Sequence, residues 1–144
     1  MAELLAAHTT LRVGGPARTW VEPESEADLI DVVRSADEAG EPVLILGGGS
    51  NVVVSDAGFE GTVVHTGRLR GVHTEDVAAC AGAFINVATG EPWDAFVAET
   101  SGRRQVGIEA LSGIPGLAGS TPIQNVGAYG QEVSQTIARV RVYD

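Results

Sequence analysis

The chain has 144 residues, 44% of them apolar and 19% charged, which is the composition of an ordinary globular domain. Its formal net charge of -10 is opposite to the basic surface that nucleic-acid binding requires, so we expect no nucleic-acid partner. The chain contains no lysine for a Walker A loop or a Schiff base, and its apolar runs are far shorter than the ~20 residues of a membrane span. We therefore expect a cytosolic protein without a membrane partner.

The N-terminal part of the sequence predicts a strand followed by a helix. Residues 18–22 are short and extended, and Pro23 ends them. Ser25 is placed to cap a helix, with Asp28 at capping-box spacing. Apolar residues then recur with helical spacing at Leu29, Val32, Val33 and Ala36, and Gly40 and Pro42 end the helix.

A fully apolar run at residues 43–46 predicts a buried strand. It leads into a segment that we call the glycine loop, residues 47–51, which consists of Gly47, Gly48, Gly49, Ser50 and Asn51. Residues 52–54 are three β-branched valines, so we predict that a strand also follows the loop. Residues 62–66 predict another strand.

The second half of the chain predicts short strands, one helix and a long loop system. Strands are expected around Val72 and Val77 and at residues 85–89, and a helix from Trp93 to a stop at Gly102. Residues 107–130, which we call the Gly/Pro segment, contain apolar anchors and predict an ordered, buried loop system. The alternation in residues 139–143 predicts a final strand. These elements indicate an α+β fold.

The glycine loop has the composition of a phosphate-binding turn. Glycines let consecutive N–H groups face an anion without a Cβ in the way, and Ser50 and Asn51 add donors. However, the sequence has neither G-x-G-x-x-G nor a Walker A lysine, and a strand rather than a helix is predicted after the loop. Composition alone therefore leaves a simple tight β-turn as an equal alternative.

Many positions of the Gly/Pro segment are glycines, which have no side chain. This allows the backbone to approach a large flat ligand closely. Its amide pair, Gln124 and Asn125, can hydrogen-bond the edge of a heterocycle. The same pair can also satisfy the backbone of the loop itself, so a ligand-free structural loop is the alternative.

Four stretches of the chain resemble one enzyme family. These are residues 8–17, the glycine loop, residues 111–116 and residues 122–132, which read HTTLRVGGPA, GGGSN, LSGIPG and PIQNVGAYGQE. They are similar to UDP-N-acetylenolpyruvoylglucosamine reductases, and the resemblance covers nearly the whole chain. It implies the FAD-binding fold of the vanillyl-alcohol oxidase and p-cresol methylhydroxylase type, here C-terminally incomplete. It also implies NADPH as co-substrate, a UDP-sugar substrate and a cytosolic step of peptidoglycan synthesis.

The resemblance assigns roles to individual residues. It places the glycine loop at the pyrophosphate of a non-covalently bound FAD, and it places Tyr129 against the substrate as well as the cofactor. The residues implied beside the flavin are Ile114, Pro115, Gly116, Gly119, Ser120, Thr121, Gly127, Ala128 and Tyr129. Residues 80–84 depart from the family pattern and receive no role.

The catalytic arginine, serine and glutamate of the family match no position of this chain, so we expect no catalytic residue within it. We predict a first FAD-binding subdomain of βαββ type at residues 1–55, an incomplete second one at residues 56–144, and no substrate domain. The full-length family implies a monomer. A binding-only or inactive FAD module, and a flavin oxidoreductase of the same fold with another substrate, are the alternatives.

The remaining residues whose side chains could bind a metal, react or stack on a flavin are interpreted as structural. His8, His65 and His73 lack a metal-ligand spacing with Cys80, so no metal site is expected, and Cys80 is expected to be buried. The aromatic residues Trp20, Trp93 and Phe96 are predicted to lie in the core rather than against a flavin.

Overall fold

The computed structural model describes residues 2–75 and 82–144. Two compact units divide the chain, Met1–Leu69 and Arg70–Asp144. The division therefore falls after the last strand of the first unit and not at the predicted position between residues 55 and 56. No helix in the described part of the chain is both long and apolar enough to cross a membrane.

The first unit is built on a parallel three-stranded sheet. Its elements are β1 (Ala17–Val21), α1 (Glu26–Glu38), β2 (Val43–Leu46) and β3 (Phe59–His65), with short 3-10 turns at Leu5–His8 and Thr66–Arg68. The sheet order is β1-β3-β2, so β3 is the central strand, and Leu46 at the end of β2 pairs with His65 at the end of β3. The carboxyl ends of all three strands consequently meet at one edge.

Helix α1 follows the prediction from its cap to its end. The Ser25 hydroxyl oxygen accepts a hydrogen bond of 3.1 Å from the Asp28 backbone N–H, which satisfies one of the free donors of the first turn. Ala36 is the buried end of the apolar stripe, and Gly40 follows the helix with a positive φ of 64°. The capping residue and the glycine thus set both ends of the helix.

The predicted strand at residues 52–54 is wrong. Val52 and Val54 pack against the core around Leu5 and Val63, whereas Val53 is 73% exposed, and none of the three valines joins the sheet. The run has the β-branching of a strand, but Val52 and Val54 turn their side chains to the core and the backbone does not pair with the edge strand β2. The adjacent run at residues 43–46 does form a strand, although Ile45 is 53% exposed and the strand is only partly buried.

The second unit combines a hairpin, two helices and the Gly/Pro segment. Its elements are β4 (Val72–Glu75) antiparallel to β5 (Phe84–Val87), α2 (Trp93–Gly102), α3 (Thr121–Gln124), and β6 (Gly127–Ala128) antiparallel to β7 (Gln131–Glu132). Short 3-10 turns lie at Glu109–Leu111, Ala118–Ser120 and Val133–Gln135. The expected position of Cys80 and the predicted strand around Val77 lie outside the described residues.

The core of the second unit forms between α2 and the Gly/Pro segment. Trp93, Phe96 and Val97 of α2 pack with Leu111 and Ala118, all of which are buried. The Trp93 indole N–H donates a hydrogen bond of 3.0 Å to the Leu111 backbone carbonyl. The segment is therefore ordered and anchored by its apolar residues, as predicted, and Trp93 and Phe96 are core residues.

The predicted final strand at residues 139–143 is wrong. These residues are exposed and hydrogen-bond to no strand among the residues that the structure describes. Their alternation of arginine with apolar residues fits a strand, but a strand requires a neighbour to satisfy its backbone N–H and C=O groups.

Truncation of Leu111 tests the core of the second unit. Leu111 is fully buried, so Leu111→Ala should lower the free energy of unfolding by about 2–5 kcal/mol. Val106 is 86% exposed, and Val106→Ala should change it by no more than about 0.5 kcal/mol. Urea unfolding followed by tryptophan fluorescence measures both values, and similar effects for the two variants would contradict this account of the core.

Candidate functional site

The glycine loop lies where parallel sheets most often bind ligands. It directly follows β2, at the edge where the carboxyl ends of the three parallel strands meet. The loop is therefore supported by the sheet of the first unit, and its position agrees with an anion-binding role.

Gly49 fixes the shape of the loop through a backbone contact. A Cβ at this position would overlap the His8 carbonyl oxygen and would stand 2.9 Å from the Thr9 Cα. The Gly49 carbonyl accepts a hydrogen bond of 2.9 Å from the Thr10 N–H, and the φ of Gly49 is 64°. Gly49 is buried and thus holds the loop, whereas Gly48 is exposed and has no positive φ.

Three rings pack beside this edge of the sheet. The Trp20 ring centroid lies 4.2 Å from that of His8 and 5.2 Å from that of His65. His8 Nε2 lies 2.7 Å from Glu3 Oε1, and His65 Nδ1 lies 2.9 Å from Glu22 Oε1. Both histidines are therefore engaged within the unit, and Trp20 packs against its core, as predicted.

The hydrogen bond from His65 holds the pKa of the Glu22 carboxyl below its ordinary value, and Arg68 adds to this shift. Glu22 stays ionised and keeps the His65 ring in place at the end of β3. Within the described residues, no three histidine, cysteine or acidic side chains come together as a metal site.

In the second unit, Asp94 holds the part of the Gly/Pro segment that contains Ser112 and Gly113. Asp94 Oδ1 accepts hydrogen bonds of 2.6 Å from the Gly113 N–H and 2.8 Å from the Ser112 hydroxyl. These bonds, led by the one from Gly113, lower the pKa of the Asp94 carboxyl. Asp94 lies in the first turn of α2, so one side chain ties the helix to the loop.

Gly119 is held by close packing. A Cβ at this position would overlap the Thr89 side chain, and the Gly119 N–H donates a hydrogen bond of 3.0 Å to the Thr89 carbonyl. The Gly116 carbonyl accepts from the Trp93 N–H at 3.0 Å. The buried Thr121 hydroxyl donates to the Ala118 carbonyl at 2.8 Å, so this donor is already used within the loop.

An open groove of about 680 Å³ lies in the second unit. Three of the residues implied beside the flavin line it, namely Ile114, Gly127 and Ala128. The other six lie outside its lining: Pro115, Gly116, Gly119, Ser120, Thr121 and Tyr129. Tyr129 has a positive φ of 53° in the β6–β7 turn and is 95% exposed. The structure thus separates residues that line the groove from residues that shape the loop.

Six further residues line the groove: Gln124, Asn125, Val126, Gly130, Gln131 and Glu132. Of these, only the amide pair Gln124 and Asn125 was considered for a role from the sequence. Asn125 uses its amide within the loop, since Nδ2 donates to Glu132 at 2.9 Å and Oδ1 accepts from the Ser134 N–H at 3.2 Å. The structural alternative raised for the amide pair therefore holds for Asn125. Asp94 was also missed, and its only sequence signal is an acidic residue in the first turn of a helix.

Residues 17–144 match the FAD binding domain family. The chain belongs to this family. A solved structure, UDP-N-acetylenolpyruvylglucosamine reductase (MurB) from Thermus caldophilus, matches this FAD binding domain with a TM-score of 0.69 and 27% identity. That match covers 93% of this chain and 45% of the other, and it confirms the predicted fold class.

The predicted family resemblance is also confirmed. Over 140 residues the chain is 55% identical to the UDP-N-acetylenolpyruvoylglucosamine reductase of Cutibacterium acnes, a match to 97% of this chain and 37% of that protein. The protein of the same name from Salinispora arenicola is 52% identical, and the match covers 97% and 38% of the two chains. The FAD binding domain therefore spans a little over a third of the length of these relatives.

The contacts of Asp94 predict a pH-dependent contribution to stability. Its folded-state pKa is lowered, so its stabilising effect is present above the unfolded value of about 3.9 and is lost as the pH falls through the folded value. Asp94→Asn should lower Tm at pH 6, and the difference from the wild-type Tm should shrink as the pH falls below the unfolded value and through the lowered folded-state pKa of Asp94.

A matched control is available in α1. Asp37 is exposed, and its side chain makes no hydrogen bond or ion pair within the described residues. Asp37→Asn should leave Tm nearly unchanged at each pH. If the difference between wild type and Asp94→Asn were independent of pH, the carboxylate would not be responsible for the effect.

Proposed function

We propose that this chain binds FAD non-covalently, with the glycine loop at the pyrophosphate and the groove residues of the Gly/Pro segment at the isoalloxazine ring. The observation that carries the proposal is the glycine loop at the carboxyl edge of the sheet. Gly49 fixes its backbone against His8 while Gly48 remains exposed without a Cβ. Such a loop suits a group recognised through backbone N–H donors.

The residues of the second unit fit a flat heterocycle. The groove of about 680 Å³ is within the range of small-ligand sites, and its lining includes the apolar Ile114 and the backbone of Gly127 and Ala128. Several of its polar groups are paired internally, so shape and backbone groups supply the recognition. Pro115, Gly116, Gly119, Ser120 and Thr121 set the path of the loop, and Tyr129 presents an exposed ring to cofactor and substrate.

We further propose that the chain is the FAD-binding part of an NADPH-dependent reductase that converts UDP-N-acetylglucosamine enolpyruvate to UDP-N-acetylmuramate in the cytoplasm. Bound FAD supplies hydride transfer between NADPH and the enolpyruvyl group. The support is the name and similarity of the relatives, together with membership of the FAD binding domain family. In this proposal the two compact units, Met1–Leu69 and Arg70–Asp144, are taken as the two FAD-binding subdomains.

The chain's own contribution to this reaction is binding and orientation. In this proposal no residue of the chain transfers the proton that is added beside the hydride. In this proposal the UDP-sugar is the partner, the protein acts as a monomer, and nucleic acid and membrane are not partners.

Substitution of Gly48 tests the role of the glycine loop. Gly48→Val should weaken FAD binding at least about tenfold, because its branched side chain would occupy the space through which the backbone N–H groups reach a phosphate. Folding should be affected little, since Gly48 is exposed and has no positive φ. Flavin fluorescence during titration with FAD measures the Kd, and acid precipitation should release the flavin into the supernatant.

The matched control is Gly102→Val at the end of α2. Gly102 is also exposed, has no positive φ, and has nothing within 4 Å of a built Cβ. It should therefore leave the Kd for FAD unchanged. An unaltered Kd in folded Gly48→Val would remove the glycine loop from the site, and flavin retained in the acid pellet would contradict non-covalent binding.

The 144-residue chain alone should not reduce the enolpyruvyl substrate at an enzyme-like rate. Loss of a positioned general acid typically costs about 10²–10⁴-fold, and loss of remote substrate contacts lowers the rate further. NADPH oxidation with and without the UDP-sugar measures this. Substrate-dependent turnover near ~10 s⁻¹, the median for enzymes, would show that the chain holds the proton-transfer group after all.

A further inference from the structure

We propose that Arg12 supplies the positive charge that pairs with the FAD pyrophosphate at the glycine loop. This inference rests on the proposed function, because it names a further binding residue of the same site. It concerns the segment before β1, to which neither the comparisons nor the sequence patterns assign a role.

The backbone of the Arg12 turn is attached to the glycine loop. Thr9 lies against Gly49, and the Thr10 N–H donates a hydrogen bond to the Gly49 carbonyl at 2.9 Å. The Arg12 N–H in turn donates to the Thr9 carbonyl at 3.0 Å and closes a tight turn. The Arg12 turn is therefore joined to the glycine loop through the backbone of Thr9 and Thr10.

The turn is rigid as well as close. The Thr9 side chain is buried, and its hydroxyl oxygen accepts from the Val13 N–H at 3.2 Å and donates to the Val13 carbonyl at 2.8 Å. Both ends of the Arg12 turn are thus held by one threonine. The backbone that carries Arg12 is therefore fixed relative to the loop, so less conformational entropy is lost when its charge pairs with a ligand.

Arg12 differs from the other arginines of its unit in having no ion pair. Arg18 pairs with Glu41 at 2.6 Å, Arg34 with Asp31 at 3.3 Å, and Arg68 with Glu24 at 2.7 Å. Arg12 is exposed and has no acidic partner among residues 2–75 and 82–144. Since acidic residues outnumber arginines in this unit, an arginine without a partner is the group best able to neutralise an added anion.

The backbone conformation does not account for an arginine at this position. Arg12 has a φ of 55°, a region that glycine or asparagine adopts at lower cost. A simple turn would therefore be better served by either of those residues. A guanidinium carried on the Arg12 turn would add the charge that the backbone N–H groups of the loop lack, and it can bind phosphate oxygens through two donors.

The test is the Kd for FAD of wild type, Arg12→Asn and Arg12→Lys, at about 50 mM and about 500 mM salt. Asparagine tolerates the positive φ, so Arg12→Asn removes the charge while the turn is kept. We expect about tenfold weaker FAD binding in Arg12→Asn at low salt, and a smaller dependence of its Kd on salt than in the wild type. Arg12→Lys keeps the charge and should recover most of the affinity and of the salt dependence.

Arg34→Gln is the matched control, because it removes one arginine of the same unit from α1. It should leave the Kd for FAD within about twofold of wild type. The proposal is overturned if Arg12→Asn binds like wild type, if Arg34→Gln weakens FAD binding equally, or if Arg12→Lys loses as much as Arg12→Asn. If circular dichroism shows that Arg12→Asn is misfolded, folded Arg12→Lys is compared with wild type instead: retained affinity and salt dependence support the proposal, and loss of FAD binding overturns it. If the wild-type chain takes up no FAD at all, the proposed function itself fails, an outcome distinct from the other three.

Discussion

Backbone contacts that only glycine permits hold both candidate loops in place. In the first unit Gly49 lies against the His8 carbonyl, and in the second Gly119 lies against the Thr89 side chain. A backbone hydrogen bond accompanies each contact. The Thr10 N–H donates to the Gly49 carbonyl at 2.9 Å, and the Gly119 N–H donates to the Thr89 carbonyl at 3.0 Å. The glycine loop is therefore fixed by packing of its backbone on another backbone segment, and the loop at Gly119 by packing of its backbone on a short side chain.

This mode of support divides the glycines into two groups. Gly49 and Gly119 are internal, and their missing side chains serve the fold. Gly48 and Gly127 are exposed, although a Cβ on Gly127 would stand 3.1 Å from the Gln131 carbonyl oxygen. A ligand that binds through backbone N–H and C=O groups then meets donors and acceptors whose positions are already set, which lowers the entropy lost on binding. Sequence composition alone cannot distinguish the two groups, because both are simply glycine.

The parts of the structure that could be predicted are those that local sequence signals determine. Helix α1 and helix α2 were predicted from their caps, stops and apolar spacing, since those signals are local. Residues 52–54 and 139–143 have the local signal of a strand equally well, but strand formation also needs a neighbouring strand, and that depends on residues distant in the sequence. Val52 and Val54 pack against the core of the first unit and do not pair with the edge strand β2. The glycine loop itself was located because the strand before it, β2, was identified correctly.

The site residues show the same limit more sharply. Motif resemblance pointed to the segment that contains Ile114, Gly127 and Ala128, which line the groove, but also to Thr121, whose hydroxyl is used within the loop. Asp94 has no motif of its own, although its two hydrogen bonds hold the start of that segment. A resemblance thus identifies a segment. Which of its residues can contact a ligand, and which only hold the loop, follows from the polar groups that are already paired.

Charge adds a final constraint on anion binding by this chain. A net charge of -10 repels a diphosphate at long range, so binding must rely on groups close enough to act within the Debye length of about 8 Å at physiological salt. Backbone N–H dipoles of the glycine loop satisfy this requirement because they act at contact distance. The paired arginines Arg18 and Arg68 contribute little, since Glu41, Glu22 and Glu24 already neutralise them. An acidic unit can therefore hold a phosphate group only where its acidic side chains are kept away from the loop or engaged elsewhere, as Glu22 is by His65.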